Sequence, residues 1–103
     1  MEWGDKYSVE FVPAAGREFG KLDNSIRLLF EDPILRLSEK PTQGADRITK
    51  LESELPIYKR RVGDYRMFFS LNSKQKRIAI LAFRKRDSDT YDVRELKKIA
   101  GRQ

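Results

Sequence analysis

From Tyr58 to Arg86 the chain carries ten basic side chains against a single acid, Asp64. They fall in four groups: Lys59, Arg60 and Arg61; Arg66; Lys74, Lys76 and Arg77; Arg84, Lys85 and Arg86. Cations this dense set up a field that draws in polyanions such as nucleic-acid phosphates. The sequence has no histidine and no cysteine. The commonest general base, the commonest metal ligand and every Ser/His or Cys/His nucleophile are therefore missing. Chemistry is left to Lys, Arg, Tyr and carboxylates, of which the first two grip phosphate and offset charge that develops on it. Thiolate metal sites are excluded along with the cysteines, and no cofactor is expected.

Side chains alternate across a strand, so parity decides which of these charges meet. Lys59 and Arg61 share a parity. Arg66 lies just past a Gly63-Asp64 turn, with Phe68 and Ser70 on its own side. Arg84 and Arg86 share a parity near the end of the last strand. One register brings Lys59, Arg61, Arg66, Arg84 and Arg86 to a single face, with Tyr91 just beyond, making a shallow basic groove with an aromatic wall. In other registers several of them are ordinary exposed strand charges that blunt a sheet edge, with Tyr58, Arg60 and Val62 turned the other way.

The elements that must hold these residues follow from periodicity. Residues 6–12 alternate apolar and polar, with Tyr7, Val9 and Phe11 on one face, and predict a short strand. Pro13 ends it and suits the first turn of a helix running to about Gly20. Asp23 or Asn24 can cap a second helix. Its apolar stripe is Leu22, Ile26, Leu29, Pro33, Ile34 and Leu37, and Pro33 is expected to kink or restart it near Glu31–Asp32. Residues 40–50 read as a polar connection. The period then changes to 2: Ile57–Val62 is a strand, Gly63-Asp64 a hairpin turn, Tyr65–Leu71 a strand, and Arg77 to about Arg84 a strand buried on both faces. Asp92–Ala100 is expected to be a short helix with Val93, Leu96 and Ala100 on one side. The fold class is α+β: an N-terminal strand and helical hairpin packed on an antiparallel sheet of about four strands, with a short C-terminal helix and one sheet face partly open.

The 103 residues suffice for one domain, 1–103, with a small core. The net charge of +6 conceals an asymmetry: residues 1–57 sum to −3 and residues 58–103 to +9. No apolar run approaches the roughly 20 residues of a membrane span. The first residues lack the order of a signal peptide. With no cysteine, the expectation is a reducing, cytoplasmic setting and no membrane partner.

Tyr58-Lys59-Arg60-Arg61-Val62-Gly63-Asp64-Tyr65-Arg66 resembles the central motif of the RelE/ParE family of type II toxins. The strand Ile78–Phe83, followed by Arg84-Lys85-Arg86 and a late tyrosine, Tyr91, resembles that family's closing strand, basic cluster and tyrosine. The N-terminal strand and helical hairpin fit its order, so the resemblance spans nearly the whole chain. In the RelE branch it implies an mRNA interferase, an endoribonuclease that cuts messenger RNA on the ribosome without metal by attack of a 2′-hydroxyl on the adjacent phosphate. Carried onto this chain, the catalytic set is Lys59, Arg61, Arg66, Arg86 and Tyr91. Lys59 or Tyr91 would activate or orient the 2′-hydroxyl, Arg61 and Arg66 would stabilise phosphate charge, and Arg86 would serve the leaving oxygen. Arg60, Arg84, Lys85, Lys74 and Lys76 would bind RNA. A cognate antitoxin is implied as protein partner, with the C-terminal helix near Leu96 as a point of contact or displacement. Two other readings stand beside this one: a ParE-like inhibitor of DNA gyrase, and a non-catalytic member that binds only RNA or an antitoxin.

Overall fold

The structure, a computed structural model, describes residues 7–39, 48–50, 56–85 and 93–101, the backbone alone at 48–50, 93–95 and 101. Its elements in chain order are β1 (Ser8–Phe11), α1 (Pro13–Gly20), α2 (Asn24–Glu39), β2 (Ile48–Lys50), β3 (Ile57–Val62), β4 (Tyr65–Asn72), β5 (Arg77–Lys85) and α3 (Val93–Gly101). The strands form one sheet in the order β1-β5-β4-β3-β2. The α+β class and the edge position of the first strand are as expected from sequence. The sheet is mixed and five-stranded rather than antiparallel and four-stranded. β1 runs parallel to β5, and β2, inside the stretch taken for a connection, pairs antiparallel with β3.

Local chemistry explains the helix boundaries. Val12 is extended and Pro13 takes the first helical position of α1, where its missing N–H costs nothing. The turn into α2 is closed by Arg27, whose Nη1 donates to the carbonyl of Gly20, at the end of α1, at 3.1 Å and to that of Leu22, in the turn itself, at 2.8 Å. The Asp23 carbonyl accepts from the N–H groups of Ile26 and Arg27 and starts α2. α2 runs as one helix through Pro33, with no restart near Glu31–Asp32. The carbonyl deprived of its partner is that of Leu29, and Leu29 is 53% exposed, so water can satisfy it. Leu29 is thus turned outward, and the buried stripe of α2 is carried by Phe30 and Leu37 with Ile26 and Ile34 beside them.

The core lies mainly between α1, α2 and one sheet face. Phe83 of β5 meets Phe30 of α2 at 5.0 Å and Phe19 of α1 at 5.2 Å between ring centroids, and Phe11 and Tyr65 extend the cluster. On the opposite face Ile57 and Phe68 are also fully buried. There α3 contributes Leu96 to the core, touching β3 and β5. The expected burial of Ile78–Phe83 on both faces holds, since only Ala79 in that run is more than marginally accessible.

Gly63-Asp64 is the expected hairpin turn, joining the facing pair Val62 and Tyr65. Gly63 has φ +57°, the conformation that the first central residue of a type II′ turn requires. A Cβ at Gly63 would meet nothing within 4 Å, so backbone strain is the main cost of adding one. Gly63→Ala is expected to lower stability by about 1 kcal/mol, a fall of about 4–8 °C in thermal midpoint for a domain of this size. A melting curve checks this.

Candidate functional site

The register of the three central strands settles which basic residues share a face. Arg61 pairs with Arg66 across β3 and β4, and Arg66 pairs with Arg84 across β4 and β5. Directly opposed residues point to the same side, with Cβ atoms about 4.5–5.5 Å apart. Three arginines therefore stand in one row across the sheet. The next row on this face is Lys59, Phe68 and Ala82. Lys59, Arg61, Arg66 and Arg84 form the basic face that parity allowed.

A bulge makes the third arginine fit. From Asn72↔Arg77 to Phe69↔Ile80 the strands keep one register, and at Phe68 it shifts so that Phe68 opposes Ala82. Leu81 is the extra residue. Had the first register continued, Arg66 would oppose Phe83 and Arg84 would point at the helical layer. The bulge re-aims the end of β5, sending Phe83 into the aromatic core and Arg84 to the arginine row.

Like charges directly opposite one another destabilise a sheet. Among the described residues, neither the Arg61 nor the Arg66 guanidinium has a hydrogen-bond or ion-pair partner; Arg61 is exposed and Arg66 half-buried. Arg84 differs. Its Nη1 donates to Glu18 Oε2 of α1 at 2.6 Å and to the carbonyl of Phe83 at 2.8 Å. The other oxygen of Glu18 accepts the Phe83 N–H at 2.9 Å. That N–H points out from the edge of β5 that β1, ending opposite Ile80, no longer covers. Glu18 was not singled out from sequence. It is one acid on a short helix, and nothing local marks a partner 66 residues away.

The remaining candidates divide. Arg60 lies in the row of Met67 and Phe83, on the face covered by α1 and α2, away from Lys59 and Arg61. Lys85 is exposed and lies in the row of Val62 and Tyr65, again the other face. Lys74 and Lys76 sit in the turn between β4 and β5, at the far end of the sheet, about 20 Å from the arginine row at 3.3 Å per residue. Lys76 does local work there: its φ is +56°, its ammonium stands 5.1 Å from the Tyr7 ring centre, and its carbonyl accepts the Ser8 N–H. Leu96 is buried in the core, so a partner reaching it must first move α3. Arg86 and Tyr91 lie outside the described residues. No metal-ligating cluster occurs among the described residues, and no helix there is long and apolar enough to cross a membrane.

No protein-family model and no curated protein matches the chain. Solved structures do. An archaeal RelE–RelB complex from Pyrococcus horikoshii is similar at a TM-score of 0.71 and 28% identity, over 80% of this chain and 97% of that one. The RelBE2 toxin–antitoxin complex from Mycobacterium tuberculosis is similar at a TM-score of 0.66 and 25% identity, over 79% of this chain and 99% of that one. The isolated RelE toxin of E. coli, at 20% identity, matches in fold with a TM-score of 0.69, over 90% of this chain and 98% of that one. A mixed sheet under a helical pair, an arginine row beside a Val-Gly-Asp-Tyr-Arg hairpin, and this structural similarity together assign the chain to the RelE/ParE superfamily.

Proposed function

We propose that this chain is the toxin of a type II toxin–antitoxin pair and that its basic face cuts messenger RNA on the ribosome. The observation that carries the proposal is the Arg61–Arg66–Arg84 row, in which two cations face each other with no partner among the described residues. Opposed like charges weaken a sheet, and a phosphodiester backbone would relieve them. The solved RelE–RelB complexes support an antitoxin as the protein partner.

In the proposed reaction the 2′-oxygen of one nucleotide attacks the adjacent phosphorus, the bond from phosphorus to the 5′-oxygen breaks, and the products end in a 2′,3′-cyclic phosphate and a 5′-hydroxyl. The proton of the 2′-hydroxyl passes to Lys59 or Tyr91, and the leaving oxygen gains one with the help of Arg86. Arginine keeps its proton across the whole working pH range, so Arg86 acts chiefly by offsetting charge on that oxygen while water delivers the proton. Arg61 and Arg66 offset charge on the phosphorane, where pre-placed donors act most strongly. Arg84 grips the same or a neighbouring phosphate.

Purified protein added to ribosomes translating a defined message should yield fragments with 5′-hydroxyl ends. Intact message, together with a DNA-damage response when the chain is expressed in cells, would overturn the proposal in favour of a ParE-like action on gyrase. Intact message with growth unaffected would leave a non-catalytic binding protein.

A further inference from the structure

We infer that Glu18 is a positioning residue for the basic face: its carboxylate locks one edge of the Arg84 guanidinium and presents the other edge as a preset phosphate fork. The inference rests on the RNA reading of this face given above. A guanidinium carries five N–H donors. Both hydrogens of Nη1 are used, one by Glu18 Oε2 and one by the Phe83 carbonyl. Nε and Nη2 bond nothing among the described residues. These two nitrogens form the side-on edge of the group, with parallel N–H bonds spaced to match two oxygens of a phosphate. The Arg84 side chain is 30% exposed, and neither of these nitrogens is among the fully buried unpartnered atoms of the described residues.

The anchor itself is fixed. Glu18 Oε1 is held by the Phe83 N–H at 2.9 Å, which ties the carboxylate to the backbone of β5 one residue before the arginine it orients. Phe19, the next residue of α1, packs on Phe83 at 5.2 Å and Phe11 at 5.3 Å, so the helix that carries Glu18 is held against the same strand. Backbone, carboxylate and guanidinium make a closed ring of contacts. A free arginine would lose the freedom of its long side chain on gripping a phosphate, and here that loss is met in folding. Glu18 also cancels much of the charge of Arg84, so the pair adds aim more than it adds attraction. Attraction is left to Arg61 and Arg66.

This division separates binding from cleavage. In Glu18→Gln the amide oxygen still accepts the Phe83 N–H, but the amide nitrogen is a donor and cannot hold Arg84. The variant gains one net positive charge. Single-stranded RNA binding, followed by fluorescence anisotropy at several salt concentrations, should be as tight as in the wild type or tighter, and its salt dependence no shallower. Cleavage in the translation assay should fall on the order of tenfold to a hundredfold, the scale of a misplaced group. Arg84→Lys, which keeps the charge without the fork, should lose cleavage on the same scale, and cleavage by Glu18→Gln/Arg84→Lys should be no worse than in the weaker single variant. The Nε–H resonance of Arg84 should be sharp in the wild type, shift on titration with RNA, and broaden in Glu18→Gln. Cleavage unchanged in both single variants, or binding, cleavage and melting temperature all falling together, would overturn the inference and leave Glu18 as a staple between α1 and β5. A wild type that cleaves nothing would defeat the RNA-cleavage reading instead. The Arg84 resonance would still report whether Glu18 fixes the fork.

Discussion

Arg66→Ala should abolish most mRNA cleavage, by a factor of about 10² or more, without lowering the stability of the fold. Arg66 is the middle of the row, with Arg61 on one flank and Arg84 on the other. Removing one pre-placed donor from a site where charge develops costs about 10²–10³ in rate. The same change relieves repulsion with Arg61 across β3 and β4, because cross-strand like charges oppose pairing, whereas the charge of Arg84 is already largely cancelled by Glu18. The thermal midpoint should therefore stay level or rise. The slope of log affinity for single-stranded RNA against log salt should become shallower by about 0.7 for the lost phosphate contact. A side chain that served the fold would show the opposite pattern, with melting temperature and activity falling together.

The largest loss of stability should come from Phe30→Ala. Phe30 is fully buried, and its ring meets those of Phe83 at 5.0 Å, Tyr65 at 6.1 Å and Phe19 at 6.2 Å. It joins α2, α1 and two central strands in one cluster. Truncating a buried phenylalanine costs about 3–5 kcal/mol, against a total of about 5–15 kcal/mol for a domain of this kind. The thermal midpoint should fall by more than about 12 °C. Leu35→Ala on the outward face of the same helix, at a residue 64% exposed, should change stability by no more than about 0.5 kcal/mol. Equal losses in the two variants would contradict the placement of the core.

The parts of this fold that sequence could carry are those with local signals. β3, the Gly63-Asp64 turn, β4 and β5 announce themselves by alternation, by a glycine where φ must be positive, and by a long apolar run. β2 has three residues, too few for alternation to stand out in a polar stretch. The pairing of β1 with β5 joins residues almost 70 positions apart, and no local pattern encodes it. Pro33 does not restart α2, and it sits one turn after Leu29, an outward-facing residue that water can reach.

The site shows the same divide. Parity within a strand put Lys59 with Arg61, but uniting them with Arg66 and Arg84 needed the register. Across β4 and β5 that register depends on a bulge at Leu81, hidden in a run of apolar residues that has no alternation to interrupt. Arg60 and Lys85 stand next to these residues in sequence, and parity turns both to the opposite face. Lys74 and Lys76 were grouped by charge alone, and the length of β4 separates them from the row.

The proposed role of the arginine row is to grip and cleave messenger RNA. It is tested most directly by mapping 5′ ends of messenger RNA in cells induced for the wild type or for Arg61→Ala/Arg66→Ala at equal levels of soluble protein. New ends within translated regions in the wild type, and none above background in the double variant, are the predicted result. The same set of ends in both, or none in either, would contradict it.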